Sequence, residues 1–218
     1  MGSEQSSDAF LAANRDFPIV FVDSRPASTI PDADFVGTNN FDSIGAIVEF
    51  LCRTGDPPVF LGMPGLNRNA SEREEAYRTK MRELGFEGRL VETEGVASSW
   101  RFEKFGCEVM DGHFSQRRYV DATILCANDR VAIGAIRAAN KYGLFGKSSD
   151  VRRALRISGH DDHPLSQYIS PALTTIAQDI DGIGADAMRL LVERTHEGRT
   201  GKPVYLLKDA TLKLRESG

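Results

Sequence analysis

The sequence predicts an α/β fold in which mostly parallel strands alternate with helices. Strand-like runs and helical patterns follow one another along the whole chain, which is typical of βαβ units. The run Pro18–Val22 is continuously apolar, as expected of a strand whose sheet is covered by helices on both faces. This first strand delivers a polar residue, Asp23, to its carboxyl end.

A helix and a second strand are predicted next. From Asp42 onward apolar residues recur at helical spacing, and Gly55 is expected to end the helix in the left-handed conformation. The apolar face consists of Ile44, Ile47, Val48 and Leu51. A strand follows at Pro58–Leu61.

The next helix carries a start signal. Ser71 and Glu74 have the spacing of a capping box, in which a Ser hydroxyl and a Glu carboxylate satisfy each other's unpaired backbone N–H groups. The buried stripe of this helix is Tyr77, Met81 and Leu84, and Gly85 is expected to end it. Arg73 would then lie in the first turn, where the helix dipole disfavours a cation, so Arg73 is expected to have a specific partner such as a carboxylate or a ligand oxygen.

The second half of the chain continues the alternation. The predicted strands are Leu90–Glu92, Thr123–Ala127, Leu155–Ser158, Val204–Leu207 and Thr211–Leu214. The predicted helices are one with Phe102, Phe105 and Met110, one from Asp129 to Tyr142, and one with Ile180, Ile183, Ala187 and Leu191 on its buried face.

Composition sets the outer limits for function. The chain has 218 residues, enough for one large or two small compact domains. Its formal charge of −4 argues against a surface that neutralises the phosphates of DNA. We therefore expect no DNA binding by this chain alone.

The cysteines and the start of the chain indicate a cytoplasmic protein. The three cysteines are widely spaced and odd in number, which fits neither a disulfide framework nor a zinc site. No run approaches the roughly 18 consecutive apolar residues of a membrane span. The polar start Met1–Ser7 lacks the basic and apolar regions of a secretory signal. We expect no membrane association.

Signals for catalysis are missing from the sequence. It contains no G-x-S-x-G elbow, no G-x-x-x-x-G-K phosphate loop and no G-x-G-x-x-G that opens a helix. The run His160–His163 alternates His and Asp, but adjacent residues at a strand end point in different directions and no third cluster of ligands lies nearby. We expect no catalytic residue, no metal and no cofactor.

Polar residues follow two successive predicted strands. Asn128 comes after the strand Thr123–Ala127, and Asp161 comes after the strand Leu155–Ser158. In open α/β sheets, polar groups just past the carboxyl ends of strands line the crevice where small ligands bind. Carboxylates and amides at such a place suit a ligand rich in hydroxyl groups.

Three sequence blocks around these residues resemble a known family. They are C-A-N-D-R-x-A-x-G-A-x-R-A from Cys126, G-x-D-D from Gly159, and P-x-L-T-T-I-x-Q from Pro171. Together they resemble the effector-binding domain of the lactose/galactose repressor family of bacterial transcription regulators. The similarity extends from about Phe17 to Arg215.

The resemblance implies a doubly wound, two-lobed fold like that of periplasmic sugar-binding proteins. It assigns residues 1–37 and 178–203 to an N-terminal lobe, and residues 38–177 and 204–218 to a C-terminal lobe. Family members begin with a helix-turn-helix head, a hinge helix and the first βαβ elements of the N-terminal lobe, which this chain lacks, so that lobe is expected to be incomplete. An incomplete lobe would expose apolar faces and sheet edges, which favours pairing with another chain or poor order.

The resemblance also assigns the site. It gives an effector-binding role to Asp23, Arg73, Trp100, Asn128 and Asp161. His160 stands where the family typically has an aromatic residue, so it is expected to line the pocket and to make ligand affinity depend on pH near neutrality.

The resemblance further implies partners. The ligand would be a sugar or sugar derivative whose binding between the lobes favours one lobe arrangement. A homodimer is expected through the helix that starts at Asp129 and through Leu165–Ile169. DNA would be bound only through a DNA-binding domain absent from this chain.

Each site residue also has a plain structural interpretation. Asp23 would start a turn. Asn128 and Asp129 would simply cap the following helix, and for Asp129 this interpretation is favoured over contact with a ligand. Trp100 would be a core residue, and Arg73 would form a surface ion pair with Glu72 or Glu74.

Two other functions stay open on the sequence. The first is a periplasmic-type sugar-binding protein of a transporter, which shares the fold. The second is a metal-dependent hydrolase that uses the cluster His160–His163.

Overall fold

The structure is a computed structural model that describes residue 13 and residues 17–24, 33–93, 95–146, 154–197 and 202–218. The helices are α1 (Asn40–Thr54), α2 (Arg68–Glu83), α3 (Phe102–Ser115), α4 (Asp129–Lys141) and α5 (Ile180–Glu197). The strands are β1 (Val20–Val22), β2 (Asp34–Thr38), β3 (Val59–Leu61), β4 (Thr123–Cys126), β5 (Arg156–Ser158), β6 (Thr175–Gln178), β7 (Tyr205–Lys208) and β8 (Ala210–Lys213). A short 3₁₀ helix spans Pro164–Gln167.

These elements form two compact units. One contains the described residues up to Asn39 together with Asp179–Asp209, and the other contains Asn40–Gln178 and Ala210–Gly218. Two parallel three-stranded sheets, one in each unit, confirm the predicted α/β class with parallel sheets. None of the helices in the described ranges combines the length and apolar character needed to cross a membrane.

The larger unit is built on a parallel sheet in the order β3-β4-β5. Helices α1 and α2 pack against each other, as do α3 and α4, and β6 pairs with β8 in an antiparallel ribbon. Its core includes the continuous apolar residues of β3 and β4 and the large buried side chains Tyr77, Phe105 and Met110. Such fully buried strands are what a sheet covered on both faces requires.

Helices α3 and α4 approach to backbone contact. A Cβ atom at Gly106 would collide with the carbonyl of Val131, and one at Gly134 would collide with the carbonyl of Glu103. Both glycines are buried. Any side chain at either position would therefore push the two helices apart.

The smaller unit has a parallel sheet in the order β1-β2-β7, with α5 packed on it. Its buried apolar cluster is Val36, Ile183, Ala187 and Leu190. Leu190 rather than the predicted Leu191 completes this face, and Ile180 is 67% exposed, so the predicted stripe was wrong at both ends. Apolar side chains remain open to solvent on its strands (Val22, Tyr205, Leu207) and on its helix (Met188, Val192).

Several local predictions need correction. The residues Val204–Leu207 were expected in the C-terminal lobe, but β7 pairs with β2 in the smaller unit. The predicted strand Leu90–Glu92 is reduced to a single bridge between Phe60 and Leu90. Gly85 ends α2 with φ 80°, as predicted.

Gly55 does not end α1 in the left-handed conformation, so that prediction was wrong. A Cβ at Gly55 would collide with the guanidinium of Arg156. Arg156 donates from Nη2 to Thr54 Oγ1 at 2.7 Å and from Nη1 to the Leu51 carbonyl at 3.4 Å, at the end of α1. The guanidinium of Arg156 thus covers the end of α1 closely at this glycine, and a side chain here would require Arg156 to move.

The predicted capping box of α2 was also wrong. The helix starts one turn earlier, at Arg68, and Asn67 is the N-cap, whose side-chain oxygen accepts from the Ala70 N–H at 2.8 Å. Asn is a preferred N-cap residue, and Ser71 lies inside the helix, where its hydroxyl donates to the Asn67 carbonyl. Arg73 is therefore in the second turn of α2.

Candidate functional site

Neighbouring strand ends bring two predicted site residues to the same edge of the larger unit's sheet. Strands β4 and β5 are adjacent and parallel, with Leu125 opposite Ser158. Asn128 follows β4, and Asp161 follows β5. This is the edge at which open α/β sheets bind ligands.

The carboxylate of Asp161 is the centre of a polar network. Its Oδ1 accepts from Arg73 Nη2 at 2.8 Å, from His160 Nδ1 at 3.0 Å and from Gln178 Nε2 at 2.7 Å. The side chain nevertheless stays 35% exposed. All three donors contact Oδ1, and none of the hydrogen bonds found among the described residues uses Oδ2.

The backbone at this point is in an unusual conformation. Asp161 has φ 117° and Asp162 has φ 52°, values that residues with a Cβ rarely adopt. The Asp161 N–H donates to the Ile176 carbonyl at 2.9 Å, and the Asp162 carboxylate accepts from Arg215 Nη2 at 2.6 Å. Surrounding hydrogen bonds thus hold a strained turn, a feature that clusters at functional sites.

Arg73 is buried and links three segments of the larger unit. Its Nε donates to Asn40 Oδ1 at 3.0 Å, its Nη1 donates to the Ala127 carbonyl at 2.9 Å, and its Nη2 contacts Asp161. The interpretation of Arg73 as a surface ion pair was wrong, because Glu72 and Glu74 pair with other arginines of α2. The expected specific partner of Arg73 is a carboxylate of the protein itself.

Electrostatics keep Asp161 ionised. Burial raises the pKa of its carboxyl group, but the charge of Arg73 and the hydrogen bond from His160 act more strongly together and lower the pKa to about 2. The group is a carboxylate at neutral pH. It can therefore accept hydrogen bonds but cannot donate them.

His160 is completely buried rather than open to solvent. Its Nδ1 contacts Asp161, and its Nε2 lies 2.9 Å from Ser43 Oγ. Burial, followed by the charge of Arg73, lowers the pKa of His160 to about 4. The expectation that its charge changes near neutrality was therefore wrong, because the ring stays neutral well below pH 6.

Asn128 has a structural role at the start of α4. Its Oδ1 accepts from the Val131 N–H at 2.9 Å, which caps the helix, and its Nδ2 lies 3.8 Å from the sulfur of Met63. Asn128, not Asp129, is thus the N-cap. The cap uses the amide oxygen, and within the described part of the chain the amide nitrogen has only a weak sulfur contact.

Asp129 is a fully buried carboxylate that joins three segments. Its oxygens accept from the His163 N–H at 2.8 Å, from Ser166 Oγ at 2.6 Å and from Thr175 Oγ1. Burial raises the pKa of Asp129 to about 6, although the Ser166 and Thr175 hydrogen bonds act in the opposite direction. Asp129 therefore organises the loop after β5 from beneath the site.

Trp100 is exposed, so its interpretation as a core residue was wrong. The indole is 61% exposed and packs edge-on against Phe102, with ring centroids 5.7 Å apart. The guanidinium of Arg130 lies 4.7 Å from the Phe102 ring and is held by Glu103 at 2.6 Å and 2.9 Å. This arrangement presents an aromatic face beside the start of α4.

Asp23 lies in the smaller unit, directly after β1. Its φ is 61°, and its backbone N–H donates to the Val36 carbonyl at 2.9 Å. This fits the turn that was one interpretation of Asp23. Its role toward an effector remains a prediction.

The contacts of Ser43 with His160, and of His160 with Asp161, resemble those of a catalytic nucleophile, its general base and an orienting carboxylate. Ser43 is only 3% exposed and His160 is 0% exposed, so a substrate cannot reach the hydroxyl. A general base works best with a pKa near the working pH, and that of His160 is about 4. The described residues also contain no cluster of three or more His, Cys, Asp or Glu side chains arranged for a metal.

Residues 58–218 match the family model of the periplasmic binding protein-like domain. The chain belongs to this family. The match covers the three predicted blocks from Cys126 to Gln178 and most of the larger unit.

Relatives of the chain include proteins named as HTH-type transcriptional regulators. The chain is 29% identical over 199 residues to the HTH-type transcriptional repressor PurR of Histophilus somni, covering 88% of this chain and 55% of the relative. The chain thus spans about half the length of the curated relatives it matches.

Solved structures agree with this placement. A regulatory protein of the LacI family from Chloroflexus aggregans is 27% identical, with a TM-score of 0.73 over 100% of this chain and 74% of that one. A LacI family regulator from Enterococcus faecalis with bound ribose has the same fold, with a TM-score of 0.74, 23% identity, and coverage of 99% and 73%.

Sequence reasoning missed four residues of the larger unit. They are Asn40, Ser43, Asp129 as a buried anchor, and Gln178. Gln178 closes the third sequence block, so its polar character directly after β6 was a usable signal. Asn40 and Ser43 lie at the start of α1, where polar residues are ordinarily interpreted as helix caps.

Proposed function

We propose that the chain is the effector-binding part of a LacI-type bacterial transcription regulator, with a sugar-like small molecule as effector. The observation that carries this proposal is the Asp161 carboxylate, with Oδ1 held by Arg73, His160 and Gln178 and the other oxygen available. A preorganised acceptor of this kind suits a hydroxyl group. The kinship with regulators and the ribose held by a protein of the same fold support the ligand class.

The larger unit offers complementary groups around such a ligand. Asp161 Oδ2 accepts from a ligand hydroxyl, and the Asn128 amide nitrogen turns from Met63 to donate to a ligand oxygen. The exposed ring of Trp100 covers the C–H face of a sugar. Arg73 acts through Asp161, because its donors are engaged within the protein.

In the complete regulator, we infer a homodimer and a separate DNA-binding segment. The segment Leu165–Ile169 supports a dimer contact because Leu165 is 53% exposed and Tyr168 is 77% exposed. A formal charge of −4 leaves DNA binding to another part of the protein. This assignment places the protein in the cytoplasm and gives it no catalytic step.

Calorimetric titration with D-ribose and cellobiose tests the proposal. The wild type is compared with Asp161→Asn, which removes the charge, and with Glu87→Gln, which removes an exposed carboxylate elsewhere in the same unit. We expect a sugar to bind to the wild type and to Glu87→Gln, and to bind at least about tenfold more weakly to Asp161→Asn. Equal affinity of all three proteins would overturn the proposed site.

A further inference from the structure

Ser43 and His160 form a buried contact that the function above does not require. Ser43 lies in the first turns of α1, and His160 lies just past the end of β5. Ser43 Oγ and His160 Nε2 are 2.9 Å apart, and the two residues are 3% and 0% exposed. The contact therefore joins two distant segments of the larger unit where water does not compete.

The partners of His160 determine its tautomer. Asp161 is ionised, so the hydrogen bond of 3.0 Å to its Oδ1 requires a proton on Nδ1. A neutral ring then has no proton on Nε2, which must accept. The Ser43 hydroxyl is the donor, since its other acceptor, the Asn40 carbonyl, is farther away at 3.3 Å.

Hydrogen bonds on opposite sides fix the ring, and the ring in turn fixes Asp161. Three donors converge on Oδ1 from different elements: Arg73 on α2, His160 after β5 and Gln178 at the end of β6. Without the imidazole proton, the carboxylate would keep only two of these donors. Its rotation about the Cβ–Cγ bond would then exchange the inner oxygen and the outer oxygen more readily.

We propose that Ser43 and His160 are a positioning pair that orients the Asp161 carboxylate, so that Oδ2 meets a hydroxyl donor of the effector. The inference rests on the proposed function for the identity of the ligand class. The orientation itself is a property of the unliganded protein. A hydroxyl at position 43 and an imidazole at position 160 are both necessary for it.

Nitrogen-detected NMR of the imidazole tests the orientation without a ligand. The wild type should show a single neutral tautomer with the proton on Nδ1. In Ser43→Ala the ring loses the donor to Nε2, so its nitrogen signals should change. In Ser43→Thr a hydroxyl is retained, so the wild-type nitrogen signals should be restored. A proton on Nε2 in the wild type would overturn the inference.

Affinity for D-ribose provides the second readout. Ser43→Ala and His160→Phe should each weaken binding by about tenfold, whereas Ser43→Thr should remain near the wild type. The matched control is Ser115→Ala, in which an exposed helical serine loses a hydroxyl that donates to the Gly112 carbonyl at 2.8 Å. Thermal melting of each variant verifies that it is folded.

The two readouts separate the inference from the proposed function. Wild-type affinity in Ser43→Ala and His160→Phe would overturn the positioning role. A wild type that does not bind D-ribose would count against the sugar assignment above, while the tautomer and its restoration by Thr would still support the pair.

Discussion

Arg73 Nη2 lies 2.8 Å from Asp161 Oδ1, and the arginine side chain is only 6% exposed. The same guanidinium also donates to Asn40 and to the Ala127 carbonyl. One cation thus connects α1, the end of β4 and the loop after β5. The site is assembled from groups that satisfy one another before any ligand arrives.

Arg73→Ala should destabilise the larger unit. Two acceptors would lose a buried donor, and Asp161 would lose its countercharge, so we expect a loss of about 2–4 kcal/mol in the free energy of unfolding. Urea denaturation measures this change. Arg78→Ala, which breaks an exposed pair with Glu74 on the same helix, is the control and should cost less than about 0.5 kcal/mol.

The buried His160 should make stability depend on pH. An unfolded histidine titrates near 6.5, whereas the pKa of His160 in the fold is lowered to about 4. Between these values the unfolded chain binds a proton that the folded chain does not, so the free energy of unfolding falls as pH drops from 6.5 to 4. His160→Phe should flatten this decline in denaturation curves recorded across that window.

The control for this experiment is His196→Gln, which removes an exposed imidazole from the smaller unit. An identical decline in the wild type and His160→Phe would show that the buried ring is protonated more easily than its surroundings imply.

Asp129 should contribute with the opposite sign. Its pKa is raised from 3.8 to about 6, mainly by burial, so between these values the folded chain binds a proton that the unfolded chain lacks. Stability from this group therefore falls as pH rises from 3.8 to 6. Asp129→Asn removes this dependence. The free energy of unfolding of the variant should therefore fall furthest below that of the wild type near pH 3.8.

Loss of hydrogen bonds adds to this effect at every pH. An amide cannot accept from the His163 N–H, Ser166 and Thr175 in the way that two carboxylate oxygens do, so Asp129→Asn should cost about 1–3 kcal/mol at neutral pH. A variant as stable as the wild type at all pH values would contradict the anchoring role.

Two glycines of α3 provide a matched pair for the helix contact. Gly106→Ala should destabilise the protein by about 1–3 kcal/mol, because the added methyl group meets the Val131 carbonyl of α4. Gly112→Ala places a methyl group in open space on the same helix and should stabilise it by about 0.5–1 kcal/mol. Thermal denaturation of the two variants should shift in opposite directions.

Local patterns predicted the strand ends of the site well, because an apolar run followed by a polar residue is a signal within a few positions. Asn128 after β4 and Asp161 after β5 are of this kind. The start of α2 was ambiguous for a related reason, since Asn67 and Ser71 are both cap residues one turn apart and only the folded backbone selects Asn67.

Contacts between distant segments were beyond the sequence. Ser43 and His160 approach only after α1 and β5 are placed on one sheet, and nothing in their local patterns pairs them. Gly55 has its role because Arg156 arrives from β5. The place of β7 beside β2 likewise depends on which sheet edge accepts it, which its own residues do not specify.

The positive φ of Asp161 lowers the stability of the protein at a residue that the proposed ligand recognition needs. Glycine would relieve the backbone strain at this turn, which costs about 1–3 kcal/mol with the present residue. It would also remove the carboxylate that pairs with Arg73 and that is proposed to bind the effector. Relief of this torsion alone would therefore not make the protein more stable, because the buried Arg73 would be left without a carboxylate.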